Sequence, residues 1–335
     1  MASIGKLDTT SVHKICAGQV VVDLASSVKE LVENAIDAGA TSVEVKLKEF
    51  GEESIEVSDN GTGISKENYG TVAMKHHTSK LSTFDDLLSV SSFGFRGEAL
   101  NALCELSGHF TITTKQAHEQ VGTALCFKRD GSLDSTKLMA RAPGTTVLVE
   151  RLFEVLPVRR GEFKRSIKKQ YARMLRVVQG YAVIATGVRL SVSNTSKSGR
   201  SNALSTQGTG KLSDNISSVF GSKFLSTLTE VRVEYTEGRI DENTTEELGD
   251  GAVTHERVEG PINEQVTISG FVSKCGLGVG RSDSDRQFWY INGRPVDLPR
   301  FTKVLNEVWR RYEMKQKPAC MLDVVVPNGW VDVNL

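Results

Sequence analysis

Two short stretches hold the residues best suited to chemistry. The first reads Lys29-Glu30-Leu31-Val32-Glu33-Asn34-Ala35-Ile36-Asp37. At the helical repeat, Leu24, Val28, Leu31 and Ala35 form one apolar face, and Glu30, Asn34 and Asp37 gather on a flank beside it. Lys29 and Glu33 fall elsewhere, toward expected solvent. A helix with a separate flank of polar groups suits one that borders a cavity. There Glu30 can orient and deprotonate water, and the amide oxygen of Asn34 suits Mg²⁺, which takes hard oxygen ligands and keeps its waters and phosphates. The second stretch, Asp59-Asn60-Gly61-Thr62-Gly63, ends a strand in which Ile55, Val57 and Asp59 share a side. A carboxylate on a buried side needs hydrogen-bond donors, and the exocyclic amine of a purine is one. Gly61 and Gly63 would let the backbone approach a flat ligand.

Each motif has an ordinary alternative. Glu30 could be a surface helix glutamate, Asn34 a surface asparagine, Asp37 a helix-end residue, and Asp59 a turn aspartate. Their co-occurrence favours a site. Together they resemble the ATP site of the GHKL ATPases. Two further stretches, His76-His77-Thr78-Ser79-Lys80 and Gly94-Phe95-Arg96-Gly97-Glu98-Ala99-Leu100, make the resemblance specific to MutL, and the text as a whole is most similar to the Pms-type branch of that family.

The resemblance implies a set of roles. Glu30 is the general base, Asn34 the Mg²⁺ ligand, and Asp37 an orienting group. Asp59 accepts the adenine amine, and Thr145, in Gly144-Thr145-Thr146-Val147, helps fix the adenine. Gly94 and Gly97 precede a helix whose free N–H groups and positive end favour an anion. Residues 76–97, rich in Ser, Thr, Gly and His, read as a lid. In it Thr78, Ser79, Lys80 and Arg96 could meet phosphate on closing, or Arg96 could brace against Glu98. Phe95, Glu98, Ala99 and Leu100 complete the loop and helix start. The expected cofactors are ATP and Mg²⁺. The expected partners are a paralogous MutL-family subunit, double-stranded and mismatched DNA, and a MutS-type recognition complex. The process implied is mismatch repair in the nucleus, with ATP ordering the lid and closing a clamp on DNA. The rival is a nucleotide- and DNA-binding scaffold without turnover.

The elements that must position these groups follow from the same text. The chain has 335 residues, with Lys+Arg equal to Asp+Glu at 41 each, so any nucleic-acid contact must come from a local patch. Five cysteines without Cys-x-x-Cys or zinc spacing argue for a reducing compartment and against a metal finger. There is no long apolar run, so no membrane role is expected. Residues 11–22 read as a short helix and then a strand. Gly39 suits a helix C-cap. Thr41–Lys48 and Ile55–Asp59 form a hairpin, and Ser65 could cap a helix through Lys75. Phe110–Thr114, Gly122–Phe127, Thr145–Val149 and Val188–Val192 read as strands, and 160–180 as one amphipathic helix. Residues 194–215 look polar and low in complexity, and 234–265 are acidic. Val266–Ser273, Gln287–Ile291 and Met321–Val326 read as strands, with a helix at Phe301–Tyr312.

The fold expected is α+β: a GHKL (Bergerat) sandwich of helices on an antiparallel or mixed sheet over 1–215, then a smaller α/β domain over 216–335. The resemblance makes the second domain ribosomal-S5-like. Arg165, Lys168, Lys169, Arg173 and Arg176 share one helix face, part of a cluster that includes Arg159, Arg160 and Lys164. That face is either DNA-binding or merely solvated. Without interleaved aromatics, contact would be mostly to phosphates. The family carries, just past the Val331–Asn334 strand, a lysine that reaches the γ-phosphate, and a C-terminal region that dimerises and holds a nuclease. Both are expected to lie beyond Leu335.

Overall fold

The computed structural model describes residues 16–78, 93–94, 97–236, 265–276, 279–327 and 330–331. They fall into two units, 1–227 and 228–335.

The first unit is built on an eight-stranded sheet: β1 (Ser42–Lys48), β2 (Ser54–Asp59), β3 (His109–Lys115), β4 (Gly122–Phe127), β5 (Leu133–Met139), β6 (Gly144–Glu150), β7 (Arg189–Ser196) and β8 (Gly199–Ser205). The order is β5-β4-β3-β6-β2-β1-β7-β8. β1 runs parallel to β7, and the other neighbouring pairs are antiparallel. The helices are α1 (Leu24–Asp37), α2 (Ala99–Leu106), α3 (Pro157–Arg165), α4 (Ile167–Ile184), α5 (Leu212–Phe220) and the short α6 (Ser222–Leu225).

Alternation in β1 and β2 does what it should: Val43, Val45, Leu47, Ile55 and Val57 are buried in one core with Leu24, Val28, Leu31 and Ala35 of α1. α1 starts at a capping box. Asp23 accepts from the Ser26 amide at 2.8 Å, and the Ser26 hydroxyl accepts from the Asp23 amide at 2.9 Å. It ends at Ala38, with Gly39 in the left-handed region at φ 70°.

Several sequence expectations need correction. Glu33 is not on a solvent stripe: it is 2% exposed, because α4 packs over that side of α1 and Tyr181 bonds to it. Ser65 caps no long helix. It precedes a single 3₁₀ turn, Lys66–Asn68, and its hydroxyl accepts from the Asn68 side chain at 3.0 Å. The 160–180 helix is two helices, with Ser166 between them in a non-helical conformation (φ −105°, ψ 12°). The short helix expected before α1 is present at residues 16–20, but irregular backbone with Val21 buried, not a strand, follows it.

Residues 194–215, polar and low in complexity in the sequence, carry regular structure. They contain the end of β7, the edge strand β8 and the start of α5. β8 reads as low complexity because it is an edge with only Leu204 buried. β5 went unread for the same reason, since most of its residues are exposed. The boundary expected at 215 cuts through α5, where Ile216 is fully buried and the Asn215 amide donates to the Val183 carbonyl at 3.2 Å. The division falls at 227/228.

The second unit has a five-stranded sheet of order β12-β11-β13-β10-β9, from β9 (Leu228–Thr236), β10 (Gln265–Ser273), β11 (Gln287–Ile291), β12 (Arg294–Val296) and β13 (Cys320–Val325). β11 and β13 are parallel, and α7 (Pro299–Trp309) lies between them in sequence. Trp289, Cys320 and Leu322 centre its core. Most of the acidic stretch, 237–264, lies outside the described residues.

The buried Asp23 also meets Arg173 of α4 at 2.8 Å. Asp23→Ala removes a helix cap and this ion pair, and should lower the stability of the first unit by about 1–3 kcal/mol. Urea unfolding would show a lower midpoint at unchanged slope; an unshifted midpoint would contradict this anchoring of α1.

Candidate functional site

β2 carries Asp59 to the end of the strand, where the turn Asn60-Gly61-Thr62-Gly63 folds it against the C-terminal end of α1. Thr62 N–H donates to the Ala38 carbonyl at 3.0 Å, so the two motifs meet in space. Asn60 pins the turn to the start of β1, its Oδ1 accepting from the amides of Thr41 (2.9 Å) and Ser42 (2.8 Å).

The glycines serve this packing. A Cβ on Gly61 would lie 2.7 Å from the Ala38 carbonyl oxygen. Gly63, at φ 74°, is pressed against the Lys115 carbonyl. Their missing side chains make room for protein backbone, a packing reason for glycine at both positions that stands beside the expected approach to a ligand.

Asp59 Oδ1 accepts from Gly61 N–H at 2.8 Å and Thr145 N–H at 3.1 Å. Oδ2 accepts no hydrogen bond among the described residues. Burial raises the carboxyl pKa above its ordinary value, against the two backbone donors and the nearby Arg141 charge, which lower it. The result is a half-buried carboxylate with one oxygen satisfied and one open to a donor.

Two supporting groups escaped the sequence reading. The Arg141 guanidinium donates to the Asp59 backbone carbonyl at 2.9 Å and also to that of Thr113, clasping β2 and β3. Thr114, fully buried, donates to the Gly144 carbonyl at 3.2 Å and accepts from Ile64 N–H at 2.8 Å. Its hydroxyl lies 3.4 Å from that of Thr145. The only signal for Arg141 was its place just before Pro143-Gly144. Thr114 gave none, since a threonine in a strand is ordinary. The neighbouring Thr146 hydroxyl instead pairs with Ser58 at 2.8 Å, which separates it from Thr145.

On α1, Glu30 has a half-buried side chain with Lys29 Nζ 3.4 Å from its Oε1. Asn34 lies one turn on. Asp37 binds the chain at residues 93–94: Oδ1 accepts from Phe93 N–H at 2.8 Å and Oδ2 from Gly94 N–H at 3.0 Å. The Gly94 amide thus already has a protein acceptor.

Gly97, at φ 61°, packs against the His77 backbone. Glu98 ends at 3.3 Å from His76 Nδ1 and precedes Ala99 and Leu100, the first residues of α2. Thr78 is exposed at the last described position before the gap. Ser79, Lys80, Phe95 and Arg96 lie outside the described residues.

The basic face is exposed at Arg165, Lys168, Lys169, Arg173 and Arg176. Arg173 is paired with Asp23. Arg159 donates to the carbonyls of Gly18 and Val21, both at 3.0 Å, and sits 4.3 Å over the Phe153 ring. Arg160 donates to Leu152 at 2.6 Å, and Lys164 pairs with Glu52 at 2.9 Å. Those three brace the fold. Arg165, Lys168 and Lys169 have no ion-pair partner among the described residues.

Residues 22–143 match the family model described as histidine kinase-, DNA gyrase B- and HSP90-like ATPase, and residues 250–335 match DNA mismatch repair protein, C-terminal domain. A mixed sheet covered by helices, with a helix-borne polar flank against an Asp-x-Gly-x-Gly turn, is the ATP-binding domain of the GHKL class. The DNA mismatch repair protein PMS1 of Arabidopsis thaliana is 44% identical over 333 residues, 99% of this chain and 33% of its own length. The chain belongs to the MutL family of DNA mismatch repair proteins.

Homo sapiens mismatch repair endonuclease PMS2 is 43% identical, over 99% of this chain and 38% of its own length. The chain thus spans little more than a third of the curated relatives it matches. Among solved structures, the N-terminal domain of a DNA repair protein superposes with a TM-score of 0.80 at 36% identity, covering 95% of this chain and 87% of that one. The Aquifex aeolicus MutL ATPase domain complexed with ADP gives 0.58 at 23%, covering 90% of each, which speaks for the fold alone.

Asp59→Asn preserves an acceptor for Gly61 and Thr145 but places an amide where Oδ2 stood. It should leave the unfolding midpoint nearly unchanged and weaken a non-hydrolysable ATP analogue by about tenfold or more, the size of one hydrogen bond made unfavourable. Titration of both proteins with that analogue checks this; equal affinities would remove Asp59 from the site.

Proposed function

We propose that the first unit binds ATP with Mg²⁺ between the α1–β2 floor and the segment over 76–97, hydrolyses it slowly, and uses it to drive a clamp with a paralogous MutL-family subunit on DNA. The observation that carries the reading is the open Oδ2 of a half-buried Asp59, held where the glycine turn meets the end of α1. An exocyclic amine fits that oxygen, and Thr145 lies beside it.

Glu30 is the general base in this reading. Asn34 supplies the protein oxygen for Mg²⁺. No group of three or more His, Cys, Asp or Glu among the described residues could hold a metal, which fits an ion that keeps its waters and phosphate ligands and needs few from protein. When bound, Mg²⁺ neutralises phosphate charge that would otherwise repel an attacking oxygen.

Asp37 takes the two amides at Phe93 and Gly94 and so fixes the C-terminal root of the lid to the helix that bears Glu30 and Asn34. Ordering of that segment around the γ-phosphate would create a surface for the partner subunit, an order–disorder switch. The further roles of Thr78, Ser79, Lys80, Arg96 and the Gly94–Gly97 loop toward phosphate belong to the same reading. So do the partners, namely mismatched and ordinary duplex DNA and a MutS-type complex, and a nuclear location. No helix among the described residues is long and apolar enough to cross a membrane.

Base and metal ligand are separable. Glu30→Ala should bind Mg-ATP with affinity near that of the parent and lose turnover by roughly 10²-fold or more. Asn34→Ala should also lose the Mg²⁺ dependence of binding. Single-turnover hydrolysis and analogue titration with and without Mg²⁺ distinguish them; identical behaviour of the two variants would contradict the division.

For DNA, the cations without ion-pair partners are the ones to reverse. Glutamate at Arg165, Lys168 and Lys169 should weaken duplex binding and flatten the log–log salt dependence by about 0.9 per lost phosphate contact. Affinity measured across a salt series checks this; an unchanged slope would make the face merely solvated.

A further inference from the structure

A chain of polar groups lies beneath Glu30. Glu33, one turn further along α1, is 2% exposed. Its Oε1 accepts from the Tyr181 hydroxyl. Its Oε2 holds Lys29 Nζ at 2.8 Å, and the same ammonium lies 3.4 Å from Glu30 Oε1. Tyr181, buried in α4, turns its ring edge-to-face to Phe93, centroids 5.9 Å apart at 63°. Phe93 in turn is tied by its amide to Asp37. One run of contacts therefore leads from Phe93, through Tyr181, Glu33 and Lys29, to Glu30.

Stability does not account for this arrangement. The Lys29–Glu33 pair is part-buried, with the Lys29 side chain 39% accessible, and an ion pair with one wet partner adds little to stability. What the pair achieves is geometric. Lysine has a long, mobile stem; gripped by a buried carboxylate, its ammonium becomes a fixed cation. Burial would lower the Lys29 pKa, but attraction to Glu33 and then Glu30 outweighs it, so the net shift is upward and the ammonium stays charged at neutral pH. Lys29 is thus not itself a base.

We infer that Lys29 is a positioning residue for the reaction. Gripped by Glu33, which Tyr181 in turn holds, it keeps the Glu30 carboxylate in the orientation from which it takes a proton from the attacking water. The inference rests on the reading of Glu30 as base.

The test compares single-turnover ATP hydrolysis, the Kd of a non-hydrolysable Mg-ATP analogue and the unfolding midpoint in Lys29→Met, Lys29→Arg, Glu33→Gln and Tyr181→Phe. Lys29→Met is also made in a Glu30→Ala background. Misplacement of a reacting group by about 1 Å costs on the order of 10²-fold. Lys29→Met should therefore lose roughly 10- to 100-fold in turnover with analogue affinity within about twofold of the parent, a change under ~0.5 kcal/mol. Lys29→Arg should recover most of the loss. Glu33→Gln, which keeps volume and the Tyr181 bond but releases the grip, should reproduce it at a near-native midpoint, with Tyr181→Phe intermediate. In the Glu30→Ala background Lys29→Met should change nothing further.

Full turnover in Lys29→Met beside a dead Glu30→Ala would overturn the positioning role and leave the base reading standing. A loss in Lys29→Met that multiplies with Glu30→Ala, or that appears in analogue affinity, would overturn it as well. Full turnover in Glu33→Gln would do so even if Lys29→Met failed to fold. Turnover surviving in Glu30→Ala would defeat the base reading, and the inference with it.

Discussion

A carboxylate carried into a half-buried position must be compensated there, and the candidate site is built around how Asp59 is compensated. β2 delivers it, and Gly61 bends the chain back so that its own amide reaches Oδ1. β6, the neighbour of β2, supplies the second amide from Thr145. Arg141 holds the Asp59 backbone by donating to its carbonyl. Two amides on a single oxygen fix the carboxyl plane and direct the unmet demand of the group to Oδ2. Oδ2, without a protein donor among the described residues, is left to meet a donor from a ligand.

α1 is constrained as tightly. The sheet covers its apolar face and α4 covers the side bearing Glu33. Glu30 keeps partial exposure. Asp37, at its last turn, accepts from the amides of Phe93 and Gly94. One helix therefore carries the proposed base Glu30, the proposed metal ligand Asn34 and the anchor for Phe93 and Gly94. The core that seats α1 also seats α4, so the basic face on the outside of α3 and α4 is rigidly joined to the ATP-binding floor.

Much of this was legible in the chain. Alternation in β1 and β2 and the wheel of α1 gave burial correctly at each apolar position named, and the polarity of Asp59 followed from parity alone. The wheel failed at Glu33 because a single helix records which residues share a side, while a second helix, far along the chain, decides which side is wet. Edge strands β5 and β8 failed for a related reason: with little of either strand buried, no apolar alternation is imposed. The packing constraint on the turn glycines was not legible, since it comes from the backbone of Ala38 and Lys115. Arg141 and Thr114 were invisible, since what distinguishes them is the carbonyls they reach across the sheet. The basic cluster was read as one group, whereas Arg159, Arg160 and Lys164 are engaged within the fold and Arg173 by Asp23.

The account stands or falls on Asp59 Oδ2 as the acceptor for an exocyclic amine. Inosine triphosphate replaces that amine with an oxygen and leaves the triphosphate unchanged, so it interrogates this contact without altering the protein. Calorimetric titration at fixed Mg²⁺ should show ATP bound at least about tenfold more tightly than ITP, since a site built to receive an N–H discriminates strongly against a ligand that lacks it. Equal affinity for the two would contradict the account, because the carboxylate around which the floor is arranged would then not be what recognises the base.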